Sequence, residues 1–307
     1  MSQVQFVKVK DTDDGIRLNR WFLKYYPDLP LSRLQKLLRT KQVKVDGKKC
    51  ETATRLISGQ EIRVPPLQDD IMTDNKTSVS KRDAEFVRSL VIYKDENIIV
   101  LNKPSGLAVQ GGTNTKRHID GMLSALCFEN DEAPKLVHRI DKDTSGILLL
   151  ARNRQYAELL TKAFKNKEIK KTYLAVVQGC PKQKKMIIDA PLLKQGERMV
   201  VAAEGQKALS EMRVLDNAGD RFALVELSPQ TGRTHQLRAH MKYIGNPIVG
   251  DDRYFIERKA KINDIADKLY LHAYKIDLTD IYKKLVITAE IPEYFKQVFD
   301  SFGWRLK

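Results

Sequence analysis

Residues 136–151, LVHRIDKDTSGILLLA, place polar and charged side chains between two apolar segments. Two carboxylates, Asp141 and Asp143, belong to this group. A carboxylate can act as a nucleophile, as a base or as the stabiliser of a positively charged carbon. His138 and Arg139 precede Asp141 closely, and Thr144 follows Asp143. A loop between buried strands would hold such a carboxylate rigidly, as catalysis requires.

The motif HRIDKDTSG has four competing interpretations. An EF-hand loop beginning at Asp141 requires a bidentate Glu at its twelfth position, where this chain has Arg152, so calcium binding is excluded. A kinase catalytic loop requires an Asp directly after Arg139 and a DFG motif, and both are missing. A structural turn and a catalytic loop remain, and the residues alone leave both open.

Charge favours a polyanionic partner. The 307 residues include 54 Lys and Arg against 39 Asp and Glu, a formal net charge of +15. Such a surplus favours nucleic acid first and an anionic membrane second. No apolar run approaches the roughly 20 residues of a membrane span. We therefore expect RNA or DNA as the partner and no membrane association.

Cysteine usage and the first residues predict the compartment. Cys50, Cys127 and Cys180 are far apart and odd in number, so they predict no disulfide framework. The first residues, MSQVQFVKVKDTDDG, lack an apolar signal core. Both features favour a cytoplasmic location.

A small module is predicted over residues 15–66. Its apolar residues recur at helical spacing in two segments, Leu18, Trp21 and Phe22 and then Leu34, Leu37 and Leu38. Ser32 is the expected N-cap of the second helix. Asp46-Gly47, within VKVDGKKC, predicts a tight β-hairpin.

Basic residues cluster on the second helix and the hairpin of this module. Successive cations there would follow a phosphate backbone, although a solvated helix face has the same composition. The segments SRLQKLLRTKQVKVDGKK and SGQEIRV resemble the small RNA-binding domain named after ribosomal protein S-four. The resemblance implies an α/β domain that binds RNA through Arg33, Lys36, Arg39, Lys41, Lys44, Lys48 and Lys49.

The remainder is predicted to be a larger α+β domain over residues 85–307, after a polar linker over 67–84. Strand-like segments dominate it. A helix over 154–166 should be capped by Asn153, and a second over 233–243 should end at Gly245. Because strands and helices do not alternate, we expect a mixed, mostly antiparallel sheet flanked by helices. The apolar face of the first helix should carry Tyr156, Leu159, Leu160, Ala163 and Phe164.

The central motif resembles that of the RluA, RluC and RluD group of pseudouridine synthases, H-R-[LI]-D-x-x-T-S-G before an apolar strand. Three further stretches resemble family motifs in the same order: LNKPSGLAV, KKTYLAVVQG and SPQTGRTHQLRAHMKYIGNPIVGD. One departure follows the first of these, where Gln110-Gly111-Gly112 replaces the His-Pro common in the family. The resemblance implies an isomerase that converts specific uridines of large-subunit ribosomal RNA to pseudouridine by flipping the base and breaking and re-forming its glycosidic bond.

The resemblance also implies catalytic residues. Asp141 would act on the ribose or the base, and Tyr173 would stack on the uracil and handle the proton of carbon 5. Arg238 would pair with Asp141, with a helix-surface arginine as the alternative. Leu237 would pack against the base. Arg139 would fill the gap left by the flipped nucleotide, with a structural salt bridge as the alternative.

Other motif residues receive supporting roles. His138 would tie the loop together, Lys103 would shape the pocket floor, and Thr144 would join the substrate-binding set. Asp143 is expected to make a turn hydrogen bond, since uracil leaves as a delocalised anion and needs no second catalytic carboxylate. The lysine runs KNKEIKK and PKQKK would contact phosphate. Packing or hydrogen bonding, not metal binding, is expected of His235, His240 and His272.

Cofactors are not expected, because the isomerisation gains and loses no electrons or atoms. The chain has no GxGxxG, no GxxxxGK[ST] and no metal-ligand cluster. We also expect a monomer. The competing hypotheses are a non-catalytic RNA-binding or ribosome-assembly factor, a methyltransferase with the same N-terminal module, and a pseudouridine synthase that acts on transfer RNA. Intact Asp141, Tyr173 and Arg238 argue against the first, and the missing glycine loop argues against the second.

Overall fold

The computed structural model describes residues 4–26, 29–67, 79–111, 115, 117–130, 132–254 and 268–306. The chain divides into two compact units, Met1–Ser78 and Val79–Lys307. Within the described ranges, every helix is too short or too polar to cross a bilayer. Gly112, Asp28 and residues 68–78 of the expected linker lie outside the described residues.

The first unit is a small antiparallel sheet with two α-helices. The sheet order is β1-β4-β2-β3. Strand β1 pairs with β4 along its whole length, and Val9 is buried in the core, so the unit begins before residue 15, where the module was predicted to start. The elements are β1 (Gln5–Lys8), α1 (Leu18–Tyr25), α2 (Leu31–Arg39), β2 (Lys44–Val45), β3 (Lys48–Lys49) and β4 (Glu61–Val64).

Local signals predicted most of this unit. Asp46 and Gly47 have φ angles of 47° and 71°, the left-handed pair that a two-residue type I′ turn requires, which confirms the hairpin. The predicted cap of α2 is wrong. The helix begins at Leu31, and Pro30 takes the N-cap position with its φ fixed near −60°, so Ser32 lies inside the first turn.

The second unit is built on one large mixed sheet. Its described strands follow the order β10-β13-β14-β9-β15-β8-β6-β5, with β16 beside β15 and β7 beside β8. Among these pairs, β8 with β15 is parallel and the others are antiparallel, which confirms the α+β class. The strands are β5 (Val91–Lys94), β6 (Ile98–Lys103), β7 (Lys135–Leu136), β8 (Ser145–Ala151), β9 (Lys170–Gln178), β10 (Lys185–Asp189), β11 (Leu192–Gln195), β12 (Arg198–Val201), β13 (Leu209–Ala218), β14 (Phe222–Pro229), β15 (Leu271–Asp277) and β16 (Val286–Thr288).

Helices cover this sheet, and three of them differ from prediction, among them the helix expected over 233–243, which begins at Gln236. The helices are α3 (Lys81–Ser89), α4 (Arg154–Asn166), α5 (Gln236–Tyr243) and α6 (Glu293–Phe302). Residues 81–84 therefore belong to α3 and not to the predicted linker. Asn153 caps α4 by accepting from the amide of Tyr156 (2.9 Å), as predicted, but Leu159 is 40% exposed and lies off the apolar face.

Gly146 allows β8 and β15 to run side by side where the polar motif ends. Its φ is 104°, and a Cβ at this position would lie 2.2 Å from the carbonyl oxygen of Ala273 on β15. Only glycine tolerates that approach. The start of β8, and with it the loop carrying Asp141, is therefore fixed against the centre of the sheet.

Candidate active site

A cavity of about 950 Å³ opens beside the predicted catalytic loop. Loop residues 138–142, β9 and the start of α5 form its walls. Its volume falls in the range of pockets that enclose small ligands, about 300–1,000 Å³. Two carboxylates, Asp120 and Asp141, line it, whereas the cationic lining residues are Arg139, Lys142, Lys165, Lys167, Lys171, Arg233 and Arg238. The cavity therefore favours an anionic ligand.

Residues at the end of β6 and just after it fix the backbone of the Asp141 loop by hydrogen bonds. The ammonium of Lys103 is fully buried and donates hydrogen bonds to the carbonyls of Lys142 (2.9 Å), Leu107 (2.8 Å) and Pro104 (3.0 Å). The hydroxyl of Ser105 donates to the carbonyl of Asp143 (2.7 Å). Burial lowers the pKa of Lys103 to about 7, although the negative charges of Asp143 and Asp141 act to raise it. Lys103 is absent from the cavity lining, so its predicted place in the pocket floor is wrong.

His138 fixes the other side of the same loop. Its Nε2 accepts a hydrogen bond from the backbone amide of Leu149 on β8 (2.8 Å), and its ring stacks on Phe164 of α4 with centroids 4.4 Å apart. Burial, assisted by the charge of Lys171, lowers the pKa of His138 to about 3. The imidazole is therefore neutral at pH 7. It fastens the loop to β8 and also lines the cavity.

Arg238 lies beside Asp141 but is anchored by a different carboxylate. Its Nη1 is 3.5 Å from Oδ2 of Asp141, while Nε and Nη2 donate to the two oxygens of Asp251, each at 2.7 Å. Arg238 is 2% exposed and Asp251 1% exposed, so the helix-surface alternative is wrong. Burial opposes the charge of Arg238, but the contacts with Asp251 outweigh it and raise the pKa of the guanidinium. The amides of Arg253 and Tyr254 also donate to Asp251.

His235 is the second cavity residue close to Asp141. Its Nε2 lies 3.9 Å from Oδ2 of Asp141, and its Nδ1 lies 3.1 Å from the hydroxyl of Tyr254. The hydrogen bond to Tyr254 matches the prediction of a packing or hydrogen-bonding histidine, but the closeness of His235 to Asp141 was not predicted. His240 and His272 match that prediction: His240 bonds Ser210 and the Ala190 carbonyl, and His272 bonds Ser145.

Tyr173, Leu237 and Thr144 line the cavity with Asp141. Tyr173 stands on β9 between its sheet partners Leu227 and Ala273. Burial, and to a smaller degree the negative charge of Asp141, raise the pKa of its phenol, so the hydroxyl is protonated at neutral pH. The phenol can therefore donate a hydrogen bond.

Arg139 extends from the loop toward solvent. It is exposed, and its Nη1 lies 3.4 Å from the side-chain oxygen of Gln110. Within the described ranges it has no carboxylate at salt-bridge distance, so the structural salt bridge considered above is not formed. The side chain of Asp143, expected to make a turn hydrogen bond, makes none in the same ranges.

The predicted phosphate-binding lysines separate into two groups. Lys165, Lys167 and Lys171 line the cavity, whereas the run PKQKK does not. Lys171 makes no ion pair with any described residue, and burial lowers its pKa. Lys170, by contrast, faces Asp280 at 3.5 Å.

In the first unit, the predicted RNA-binding residues lie on α2 and on the hairpin and turn that follow it. Arg33 and Lys44 are half-buried, and the remaining five are exposed: Lys36, Arg39, Lys41, Lys48 and Lys49. These five have no carboxylate partner among the described residues. Their charge is therefore available to an external anion.

Comparisons with known proteins identify similar chains. The family described as RNA pseudouridylate synthase matches residues 97–243. A "Ribosomal large subunit pseudouridine synthase C" of Vibrio parahaemolyticus is 35% identical over 90% of this chain and 88% of its own length. "RNA pseudouridine synthase 4, mitochondrial" of Arabidopsis thaliana is 38% identical over 80% of this chain and 62% of that protein. The structure of "Human RNA Pseudouridylate Synthase Domain Containing 4" matches with a TM-score of 0.65 and 25% identity, over 73% of this chain and 98% of the human chain.

Proposed function

The chain belongs to the family of RNA pseudouridine synthases, and from this premise we propose that it isomerises specific uridines of large-subunit ribosomal RNA. Family membership confirms the predicted resemblance and makes the protein an RNA-modifying isomerase. The choice of substrate is supported by the bacterial relative named for the large ribosomal subunit. The observation that carries the site assignment is the Asp141 carboxylate, 28% exposed, which opens into the cavity beside Arg238.

Asp141 supplies the negative charge at the reacting ribose. When the bond between uracil and carbon 1′ breaks, positive charge develops on the sugar, and an ionised carboxylate in contact with it lowers the barrier. The bond then re-forms to carbon 5 of the same base, and the proton of carbon 5 is released. Atoms and electrons balance within the nucleotide and water, so the reaction needs no redox cofactor.

Arg238 orients Asp141. Two guanidinium nitrogens are used by Asp251, which leaves Nη1 directed at Asp141. A fixed positive charge at this distance attracts the carboxylate and sets its direction. The anchoring by Asp251 means that the arginine does not reorganise when substrate enters.

Tyr173 and Leu237 hold the flipped base. Both line the cavity with Asp141, one with an aromatic ring and one with an aliphatic side chain, as a planar pyrimidine requires. In this proposal the phenol of Tyr173 exchanges the proton of carbon 5 of uracil. Thr144 contributes a buried hydroxyl to the same wall.

Arg139 stabilises the RNA from which the nucleotide has been extruded. It is exposed at the cavity rim and without a carboxylate partner in the described part of the chain, so it is free to occupy the vacated stack. Lys165, Lys167 and Lys171 contact the adjoining phosphates from the opposite wall.

The first unit adds RNA affinity. Its seven basic residues on α2, the following turn and the hairpin follow the phosphate backbone, as the resemblance to the S-four domain implies. We also propose that the protein is a monomer and acts in the cytoplasm. Its location is supported by the bacterial relative, while the Arabidopsis relative is named mitochondrial.

The proposal is tested by tritium release. Unmodified transcripts of large-subunit rRNA, small-subunit rRNA and transfer RNA, each tritiated at carbon 5 of uridine, are incubated with the purified protein and no added cofactor. Release from the large-subunit transcript alone is the expected result. Release only from transfer RNA would show that the substrate is transfer RNA and not large-subunit rRNA. No release from any of the three would favour the RNA-binding factor.

A further inference from the structure

His235 occupies an unusual backbone position at the rim of the cavity. It is the N-cap of α5, and its φ of 49° lies in the left-handed region that non-glycine residues rarely adopt. Such a conformation is strained and persists only where surrounding contacts determine it. The side chain is 15% exposed and lines the cavity. The backbone therefore directs an imidazole toward Asp141 at some cost in stability.

Tyr254 is the hydrogen-bond partner of Nδ1 of His235. The Tyr254 hydroxyl accepts a hydrogen bond from the backbone amide of Met199 (2.8 Å), so its own proton is available to a second partner. That partner is Nδ1 of His235, 3.1 Å away. When Nδ1 accepts, the neutral imidazole carries its proton on Nε2. The Tyr254 ring is held in turn against the guanidinium of Arg238, 5.3 Å from its centroid.

Burial favours the neutral form of His235. Burial lowers its pKa, and the guanidiniums of Arg238 and Arg253 act in the same direction, whereas Asp141 and Asp251 oppose them. The neutral imidazole therefore presents one N–H, at Nε2, to the carboxylate of Asp141.

We infer that His235 is a positioning residue that holds Asp141 in its reactive orientation by donating from Nε2, with Tyr254 fixing the required tautomer. Two donors then face the same carboxylate oxygen, Nη1 of Arg238 at 3.5 Å and Nε2 of His235 at 3.9 Å. Neither distance is short enough for a strong hydrogen bond. Catalytic hydrogen bonds commonly shorten when substrate binds. The inference rests on the proposed function, because the proposed function identifies Asp141 as the catalytic carboxylate that His235 orients.

The test compares two replacements of His235 that differ in where they place a donor. Asn tolerates the left-handed backbone but is too short to place a donor at the Nε2 position. Gln reaches that position with its amide. Single-turnover tritium release and RNA affinity are measured for wild type, His235→Asn, His235→Gln and Tyr254→Phe, with thermal unfolding as the check on folding.

We expect His235→Asn to lower the single-turnover rate about 10- to 100-fold, as removal of an orienting partner does elsewhere, with RNA affinity unchanged. His235→Gln should recover most of that rate. Tyr254→Phe keeps the ring over Arg238 but loses the hydroxyl, and it should slow the reaction in the same direction. A rate in His235→Asn equal to wild type would overturn the inference, as would equal losses in the Asn and Gln variants. A wild-type protein that releases no tritium would instead refute the proposed function.

Discussion

Arg238 binds Asp251 through two hydrogen bonds of 2.7 Å and turns its remaining nitrogen toward Asp141. Both members of the closer pair are almost fully buried, whereas Asp141 is open to the cavity. The buried carboxylate therefore neutralises and orients the arginine, and the exposed one is left for substrate. This division of roles is the structural basis of the first prediction.

Asp251→Asn should destabilise the protein and slow its reaction. The substitution leaves a buried guanidinium without its anionic partner, a change that costs about 3–5 kcal/mol in other proteins. We expect the free energy of unfolding, measured in urea, to fall by a similar amount. The single-turnover rate should fall at least about tenfold, because Arg238 is no longer held toward Asp141.

Asp252→Asn is the matched control for this experiment. Asp252 lies 3.9 Å from the same guanidinium but is 86% exposed. An exposed pair of this kind contributes about 0–1 kcal/mol, so little change is expected. Equal losses in the two variants would show that Asp251 has no special role.

The free energy of unfolding should fall as pH falls, because His138 takes up a proton in the unfolded chain but stays neutral in the fold. The pKa of His138 is lowered to about 3, below the ordinary value of 6.5, so between these limits the unfolded chain binds the extra proton. The stability due to neutral His138 is complete above pH 6.5 and is lost as pH falls toward 3. Between pH 7 and pH 5 the loss from this residue is about 2 kcal/mol.

His138→Gln isolates this contribution. The amide oxygen of Gln can accept from the Leu149 amide, and it does not titrate. The free energy of unfolding of both proteins is measured in urea at pH 7 and at pH 5. The difference between the two pH values should be about 2 kcal/mol smaller in the variant than in wild type. His272, whose pKa burial lowers to about 4, contributes equally to both proteins and cancels. An unchanged difference would mean that His138 is not neutral in the fold.

Replacing Lys48 and Lys49 by Gln should weaken RNA binding without changing the chemistry. Each phosphate contact contributes about 0.7–0.9 to the slope of log affinity against log salt concentration, so loss of two contacts should reduce the slope by up to about 1.8. The single-turnover rate at saturating RNA should be unchanged. Lys8→Gln, an exposed lysine of β1 outside the predicted set, is the control. A slope equally reduced by Lys8→Gln would argue against a defined RNA-binding surface.

Tyr173→Phe should separate stacking from proton transfer. The ring remains, so RNA affinity should stay within about twofold, while loss of the phenol should lower the rate by about 10² or more. Tyr156→Phe is the control, since Tyr156 is half-buried on α4 and does not line the cavity. Wild-type turnover by Tyr173→Phe would restrict Tyr173 to stacking.

Local patterns predicted the parts of the fold that depend on neighbouring residues. The Asn153 cap of α4 and the Asp46-Gly47 hairpin are of this kind. The start of α5 was not predictable in the same way. The apolar and basic pattern suggested a helix from residue 233, whereas the helix begins at Gln236 because His235 takes a left-handed conformation. His235 also contacts Tyr254, 19 positions further along the chain, and no local pattern contains such a contact.

The sequence predicted the residues of the candidate site that belong to recognisable motifs, but not the contacts between them. They supplied Asp141, Tyr173 and Arg238, which the structure brings to one cavity. They did not reveal the anchoring of Arg238 by Asp251, because that contact joins residues 13 positions apart across a turn. A signal was present in the sequence: a buried arginine requires a carboxylate, and Asp251 directly follows the apolar stretch 247–250. Lys103 was misplaced because a lysine beside a motif does not indicate which way its side chain points.

The most direct measurement is single-turnover tritium release by Asp141→Asn beside Asp143→Asn. Both residues belong to the same loop, but only Asp141 lines the cavity. With RNA affinity measured in parallel, we predict that Asp141→Asn binds the transcript as wild type does and releases no tritium, while Asp143→Asn keeps a rate near wild type. Tritium release by Asp141→Asn at a rate near that of wild type would contradict the account.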